Sequence, residues 1–260
     1  MSKLSPRVRQ RMLSLGTVIG MFVIWEAVCI GFNISDLILP RPTQIFQTLF
    51  DRLPALMPHA IQTLTTTLIG FALGVLAGTV IGVVIGSSKV AYDAAYPLLV
   101  AVSSIPKVAV VPIFVVWFGA GTVPAILTSM VISIFPVVVN VATGLATTEP
   151  ELEDVLRALG AGKRDILRNV GLPRTLPYLF ASLKIAITLA FVGTVLAETV
   201  ASNRGIGNAM MIASGNFDVP LVFAGLFILS FLGVSLYAIF SFAERRMTGW
   251  AQRKQDMAMA

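Results

Sequence analysis

Charged side chains are scarce in this sequence. Only 12% of its 260 residues are Asp, Glu, Lys or Arg, whereas 56% are hydrophobic. A soluble domain carries about 25% charged residues, so this chain has too few to cover a water-soluble globule of its size. Intrinsic disorder is also excluded, because it requires low hydrophobicity and high charge. The composition predicts a polytopic membrane protein that lies in a lipid bilayer.

Cysteine and histidine are nearly absent, since Cys29 and His59 are the single examples. Cys29 has no partner for a disulfide within the chain. One histidine and one cysteine also argue against metal sites and nucleophilic catalysis based on these residues. The net charge is +6, but the basic residues lie between apolar runs, which argues against nucleic acid as a partner. We expect no catalytic residue, no metal and no cofactor bound by this chain.

Six apolar stretches are long enough to cross a bilayer, which requires roughly 20 residues each. The charge-free stretch 108–148 is too long for one helix, and Gly119, Gly121 and Pro124 divide it in two. The predicted spans are 12–32, 61–88, 96–118, 123–146, 177–199 and 219–242. Residues 42–57 carry apolar side chains at helical spacing, which predicts a short amphipathic helix at the outer interface.

Most of the 19 basic residues lie in segments that six spans place on one side. These segments include the tails 1–11 and 247–260 and the loop 147–176. The positive-inside rule places them, and both termini, in the cytoplasm, with 12–246 as a single membrane domain. A cleaved N-terminal signal peptide is the alternative, but its apolar run is longer than the usual 7–15 residues or so.

Several residues inside the predicted spans are unusual for a membrane helix. The second span has a glycine at every fourth position: Gly70, Gly74, Gly78, Gly82 and Gly86. This ladder predicts close helix packing, with a sliding contact as the alternative. The charged residues inside the spans are Glu26, Lys107, Lys184 and Glu198. Intramembrane charges are costly and usually face a cavity or a partner, although Lys184 could instead snorkel to the interface.

The loop 147–176 has acidic residues first and basic residues later, an order that suits a helix dipole. Thr148 and Pro150 predict a helix start, and Gly160 predicts its end. A second helix is expected over 163–170, ending before Pro173. The Gly160–Lys163 stretch is not a phosphate-binding loop, because positions 157 and 164 are both Arg. An ATP-driven function would need a separate subunit.

This loop resembles the signature of the membrane subunits of bacterial ABC importers, which is Glu-Ala-Ala, three residues, Gly, and later Ile-x-Leu-Pro. The matching residues are Asp154, Val155, Leu156, Arg157, Ala158, Gly160, Leu172 and Pro173. Asp-Val-Leu replaces Glu-Ala-Ala, and Val170 replaces the isoleucine. Further motifs resemble the nitrate/sulfonate/taurine permease group: Leu39–Pro42, Ser104–Pro112, Trp117–Gly119, Ala197–Glu198 and Gly205–Gly207.

The resemblance implies an all-α membrane protein with six transmembrane helices, the type I ABC importer permease fold and a cytoplasmic coupling helix. The eight matching loop residues would then contact the ATPase. The implied partners are a second, identical permease subunit, two cytoplasmic ATPase subunits that bind ATP and Mg, and an extracytoplasmic solute-binding protein. The implied location is the bacterial cytoplasmic (inner) membrane.

The resemblance also implies a small anionic solute similar to nitrate, a sulfonate or taurine, with a heterocyclic vitamin precursor or a carboxylate as the alternative. Candidate pathway residues are Lys107, Trp117, Asn140 and Glu198. A structural pairing is the alternative for Glu198, and an interhelical hydrogen bond is the alternative for Asn140. An ion-coupled carrier using Glu26, Glu198 and Lys107 stays open as a second function. A membrane enzyme is the third, but no constellation of reactive residues supports it.

Overall fold

The computed structural model describes residues 6–147 and 155–258, and every regular element in these ranges is helical. A 3-10 turn spans Lys107–Val110, and a π turn spans Leu167–Gly171. The helices are α1 (Pro6–Gly31), α2 (Pro42–Gly86), α3 (Lys89–Ser103), α4 (Val111–Phe118), α5 (Thr122–Ala146), α6 (Lys163–Ile166), α7 (Leu172–Ala201), α8 (Ile206–Gly215) and α9 (Val219–Ala258).

Five long apolar stretches of the described chain can cross a bilayer, namely α1, α2, α5, α6 together with α7, and α9. The α3–α4 pair also passes as a span but is bent by 76°, which gives six spans when the pair counts as one. The predicted third span, 96–118, therefore corresponds to a bent pair that begins earlier, at Lys89, and not to one straight helix. Pro106 has extended backbone (φ −63°, ψ 97°), and a proline also disfavours helical backbone at the residue before it.

The α2 helix is continuous over 45 residues, so the prediction of a separate interfacial helix over 42–57 is wrong. Pro54 and Pro58 lie inside this helix. Each proline removes one backbone N–H donor, but the helix continues through both positions. The amphipathic segment therefore joins the second span instead of turning away from it.

The helical path also continues through Pro173, contrary to the expected helix end. A π turn makes this possible, because the Leu172 N–H donates to the Leu167 oxygen, five residues back. Pro173 then occupies the first turn of α7, where the missing N–H costs little. Residues 163–201 form one continuous helical path from the loop to the far end of the bundle. The short helix α8 was not predicted.

The bundle is built around α5, which packs most extensively against α2 and α7. The five glycines of the α2 ladder are buried, and each faces α5. These contacts confirm the predicted close packing of the second span. The helix α9 covers α2, α7 and α8, whereas α1 lies at the edge, chiefly against α2.

Candidate functional site

A cavity of about 510 Å³ opens halfway along the bundle, between α3, the 3-10 turn, α5 and α7. Its size is within the range of small-molecule sites, roughly 300–1,000 Å³. Its wall is mostly apolar, with side chains such as Leu99, Ile132, Phe135 and Val192. The polar groups are few: Tyr96, Ser103, Lys107 and Asn140. The cavity therefore brings together two of the four predicted pathway residues, Lys107 and Asn140.

The bend between α3 and α4 places Lys107 at this cavity. Its ammonium donates to the Ser103 oxygen at 3.0 Å and lies 4.8 Å from the centre of the Phe135 ring. That distance is typical of a cation–π contact. Within the described ranges, Lys107 has no carboxylate in ion-pair contact. A positive charge with spare N–H donors therefore faces the cavity.

Asn140 lies one helical turn after Pro136 on α5 and donates from Nδ2 to the Pro136 oxygen at 2.8 Å. This bond lies within one helix, so the expected interhelical hydrogen bond is not formed in the described residues. An amide has two donors and one acceptor oxygen. Asn140 therefore keeps hydrogen-bonding capacity on the cavity wall.

Trp117 and Glu198 do not line this cavity. Trp117 is exposed at the end of α4, where its ring packs on Phe114 and Phe118. Glu198, near the end of α7, is 1% exposed. The structure thus separates these two predicted pathway residues from Lys107 and Asn140.

Glu198 instead joins three helices. Its Oε2 accepts hydrogen bonds from the Thr63 hydroxyl (2.9 Å) on α2 and from the Gly207 N–H (3.1 Å) in the first turn of α8. The Thr63 hydroxyl also accepts from the Ile206 N–H at 2.9 Å. A carboxylate at a helix N-terminus is favourable, because the N–H groups there lack helical acceptors. We call Thr63, Glu198, Ile206 and Gly207 the outer clasp.

Glu26 plays a comparable part at the start of α2. Its two carboxylate oxygens accept from the Thr43 hydroxyl (2.8 Å) and from the Thr43 N–H (3.1 Å). Both glutamates in the predicted spans therefore stabilise the N-terminus of another helix. For Glu198 this agrees with the structural pairing given as its alternative. The helix that each glutamate caps was not predicted, because the capping side chain is supplied from a distant part of the chain.

Lys184 forms an ion pair with Glu244 of α9, with Nζ and Oε2 2.6 Å apart. Both side chains are largely buried. Lys184 therefore has a charged partner, as expected for an intramembrane charge, and its ammonium pairs away from the cavity instead of snorkelling to the interface. Glu244 lies just beyond the predicted sixth span but on the same helix, because α9 continues to Ala258.

The signature loop ends its first helix at Gly160. The Gly160 N–H donates to the Arg157 oxygen (3.0 Å) and the Ala161 N–H donates to the Leu156 oxygen (3.0 Å). This pair of bonds, with Gly160 at φ +85°, is a Schellman helix end. The predicted helix end at Gly160 is confirmed. Asp154, Thr148 and Pro150 lie outside the described residues.

Two apolar side chains of this loop are exposed, although apolar groups usually avoid water. Val155 is 57% exposed and Leu159 is 78% exposed. Because they are four residues apart in a helical turn, they lie on one face. Ala158, Leu172 and Pro173 are exposed as well, and Leu156 is half-buried. The signature residues thus form an accessible surface of mixed apolar and polar character.

Phe135 and Tyr96 were not identified from the sequence as site residues. Aromatic residues are frequent in membrane helices, and their positions alone carry no signal for a cavity. Only the bent α3–α4 pair brings them to the same wall as Lys107. Among the described residues, no three His, Cys, Asp or Glu side chains come together as metal ligands would.

Comparison with known proteins finds a matching family model and relatives that align over nearly the whole chain. A family model described as "Binding-protein-dependent transport system inner membrane component" matches residues 70–249. The riboflavin transport system permease protein RibX of Chloroflexus aurantiacus is 36% identical over 258 residues, or 96% of each chain. The formylaminopyrimidine transport permease protein ThiX of Halalkalibacterium halodurans is 34% identical over 237 residues, or 90% of this chain and 94% of ThiX.

The nitrate/sulfonate/taurine resemblance is confirmed as well. The taurine transport system permease protein TauC of Escherichia coli is 27% identical over 252 residues, or 94% of this chain and 92% of TauC. Among solved structures, an inward-facing MetNI methionine ABC transporter chain superposes with a TM-score of 0.67 at 19% identity. The match covers 76% of this chain and 98% of that chain. The predicted type I permease fold is confirmed.

Proposed function

Because the chain belongs to the family of binding-protein-dependent transport system inner membrane components, we propose that it forms the solute pathway of an ATP-driven importer. It is an ABC importer permease subunit. The observation that carries the pathway proposal is the cavity halfway along the bundle. Its lining on α5 runs from Ile132 to Asn140, inside the helix and not at its ends, where a crossing solute would pass.

The coupling of this permease to ATP hydrolysis is assigned to the signature loop. Val155 and Leu159 form an apolar face that an ATPase subunit would cover. The nearby helical path 163–201 leads from the loop to the outer clasp at Glu198. Movement of the loop with the ATPase would therefore reach the opposite end of the bundle. ATP and Mg would be bound by the ATPase and not by this chain.

The assembly would contain two copies of this chain, two ATPase subunits and an extracytoplasmic solute-binding protein. The cavity is only partly enclosed by a single chain, which suits a pathway completed by a second copy. We place the protein in the bacterial inner membrane with both termini in the cytoplasm, as the distribution of basic residues indicates. The outer clasp then lies on the extracytoplasmic side.

Two solute classes have support. The relatives named for riboflavin and formylaminopyrimidine are 36% and 34% identical to this chain, which favours a heterocyclic solute. Lys107, a cation without a carboxylate partner among the described residues, favours a small anion such as taurine or nitrate. We take the heterocycle as the first candidate and the small anion as the second.

The coupling proposal is tested with the tagged chain, co-expressed in its native cell with its partners and purified in mild detergent. Leu159→Asp introduces a charge on the exposed loop face and should remove most of the co-purifying ATPase, because a buried unpaired charge costs several kcal/mol. Leu37→Asp is the matched control, since Leu37 is another exposed leucine, 62% exposed, at the opposite end of the bundle.

Mass spectrometry of the purified material gives the result. Loss of the ATPase with Leu159→Asp but not with Leu37→Asp supports docking at the loop. Equal recovery of the ATPase from all three proteins would show that the subunit docks elsewhere. A stable chain that never recovers an ATPase would favour the ion-coupled carrier instead.

A further inference from the structure

We propose that Phe135, Lys107 and Asn140 form a recognition site for a planar heterocycle that carries a carbonyl group or another ring acceptor. This inference rests on the proposed function, because it assumes that the solute crosses through the cavity halfway along the bundle. It goes further by assigning the solute class to particular side chains. It also predicts which solutes the permease itself prefers.

The apolar wall of the cavity is the first argument. Most of the lining is aliphatic or aromatic, including Leu99, Ile132, Val139 and Leu189. An inorganic anion or a small zwitterion would have to give up bound water on entering the cavity. This desolvation is costly, because the wall offers few hydrogen bonds in exchange. A planar ring gains from the same wall, because its faces are apolar and its polar groups lie at the edge.

The aromatic side chain of Phe135 is the second argument. It lines the cavity and already holds a cation 4.8 Å from its ring centre. Tyr96 lines the same cavity from α3. Aromatic rings favour offset-stacked or edge-to-face contacts with other aromatic rings. A flat heterocycle that enters the cavity therefore finds ring partners on two helices.

Lys107 and Asn140 would form hydrogen bonds with the polar groups at the edge of such a heterocycle. The Lys107 ammonium has three donors, of which the Ser103 oxygen takes one. The Asn140 amide uses one donor on the Pro136 oxygen, and its second donor and its acceptor oxygen remain for a ligand. A cationic donor beside an amide suits a ring with an adjacent carbonyl and N–H.

The test uses the complete importer, with ATPase and binding protein, in proteoliposomes. Uptake of radiolabelled formylaminopyrimidine, riboflavin and taurine is measured in separate samples. Binding of the same three probes to the detergent-solubilised transporter without binding protein is measured in parallel, since this isolates the permease. The variants are Phe135→Leu, Phe135→Trp and Lys107→Met. Phe231→Leu is the matched control, because Phe231 is exposed on α9 away from the cavity.

We expect a heterocyclic probe to bind and to be imported. Phe135→Leu should lower its affinity by up to about tenfold, as the loss of an aromatic stacking partner predicts. Phe135→Trp should lower it less than Phe135→Leu, and Phe231→Leu should leave it unchanged. Lys107→Met should also lower the affinity for the heterocyclic probe. Import of taurine alone, abolished by Lys107→Met and unaffected by Phe135→Leu, would overturn the inference while leaving the proposed function intact. An assembled importer that moves no probe and shows no binding-protein-stimulated ATPase activity would overturn both.

Discussion

Gly82 of α2 lies directly against Val141 of α5, so closely that a Cβ atom at position 82 would be 2.7 Å from the Val141 Cβ. The same sequence offset relates Gly70 to Ser129 and Gly86 to Leu145. Two helices that keep one offset over four turns run side by side in the same direction. Each glycine meets the side chain of the α5 residue at this offset, which supports the fixed packing predicted for this ladder rather than a sliding contact.

A larger side chain in this interface should destabilise the bundle. Gly82→Leu would place atoms where Val141 and the Val138 carbonyl already lie, and overpacking typically costs 1–3 kcal/mol or somewhat more. We expect a clearly lower Tm in detergent and less monodisperse protein on size-exclusion chromatography. Gly16→Leu is the control, because nothing lies within 4 Å of a Cβ at that position.

The partner side chain offers a compensating change. Gly82→Ala alone should destabilise moderately, and Val141→Ala should recover part of the loss by removing the crowded Val141 γ-carbons. The effects of the two changes on the free energy of unfolding should be non-additive by at least about 0.5 kcal/mol, as expected for residues in contact. Strict additivity of the two shifts in stability would contradict the close packing of positions 82 and 141.

The outer clasp gives a second prediction. Thr63→Val removes a donor to Glu198 and an acceptor of the Ile206 N–H. A lost hydrogen bond to a charged group costs about 1.5–3 kcal/mol, so Thr63→Val should lower the Tm by several degrees. Limited proteolysis should also cut the segment before α8 faster, because α8 loses its Ile206–Thr63 hydrogen bond to α2 and keeps only the neighbouring pairing of Gly205 with His59.

A second set of variants tests whether the hydrogen bonds of Glu198 or its negative charge stabilise the clasp. Glu198→Gln keeps an oxygen that can accept from Thr63 and Gly207, so it should destabilise less than Glu198→Leu. Thr65→Val is the control, since Thr65 is exposed on the same helix and its hydroxyl bonds only within α2. Equal stability of Thr63→Val and Thr65→Val would show that the clasp contributes nothing.

Much of the fold follows from the sequence. Long apolar runs without charge define the spans, because a bilayer requires about 20 such residues, and the glycine ladder defines the α2 face that meets α5. The break at Pro106 and the π turn before Pro173 were not predicted correctly. One proline ends a helix and the other does not, and the difference depends on whether the surrounding helices support a shifted hydrogen-bond register.

The site was only partly predictable. Lys107 stood out because intramembrane charges are rare, and the structure places it at the cavity. Glu198 stood out for the same reason, yet it caps α8 from a neighbouring helix. A charge in a span indicates that a partner exists without identifying it. Phe135 carries no such signal, since its importance comes from the bend that brings Lys107 to its ring.

The Lys184–Glu244 pair gives a third prediction. Lys184→Met leaves Glu244 largely buried without its partner, and breaking such a pair costs about 3–5 kcal/mol. We expect poor expression and a strongly lowered Tm. The double variant Lys184→Met with Glu244→Leu should recover most of the stability, because replacing both charges by apolar groups is often neutral. Failure of the double variant to recover would show that one of the two charges serves another function.

The last prediction concerns Gly160 in the signature loop. Its φ is +85°, and no atom lies within 4 Å of the position that a Cβ would take, so backbone conformation, and not crowding, selects glycine. Gly160→Val should disrupt the Schellman end and sharply lower binding-protein-stimulated ATPase activity in the reconstituted importer. Gly160→Asn should retain more activity, because asparagine adopts the left-handed region more readily than a β-branched residue.

Gly162, two residues further along the loop, is the control position for the Gly160 experiment. Its φ is not in the left-handed region, and an added Cβ would meet only the flexible Asp165 carboxylate at 3.3 Å. Gly162→Ala should therefore leave coupling near the level of the unchanged protein. If Gly160→Val and Gly160→Asn instead lowered activity equally, the side chain itself would be obstructing a contact at this surface. The glycine would then be required for close approach of the ATPase and not for the helix end.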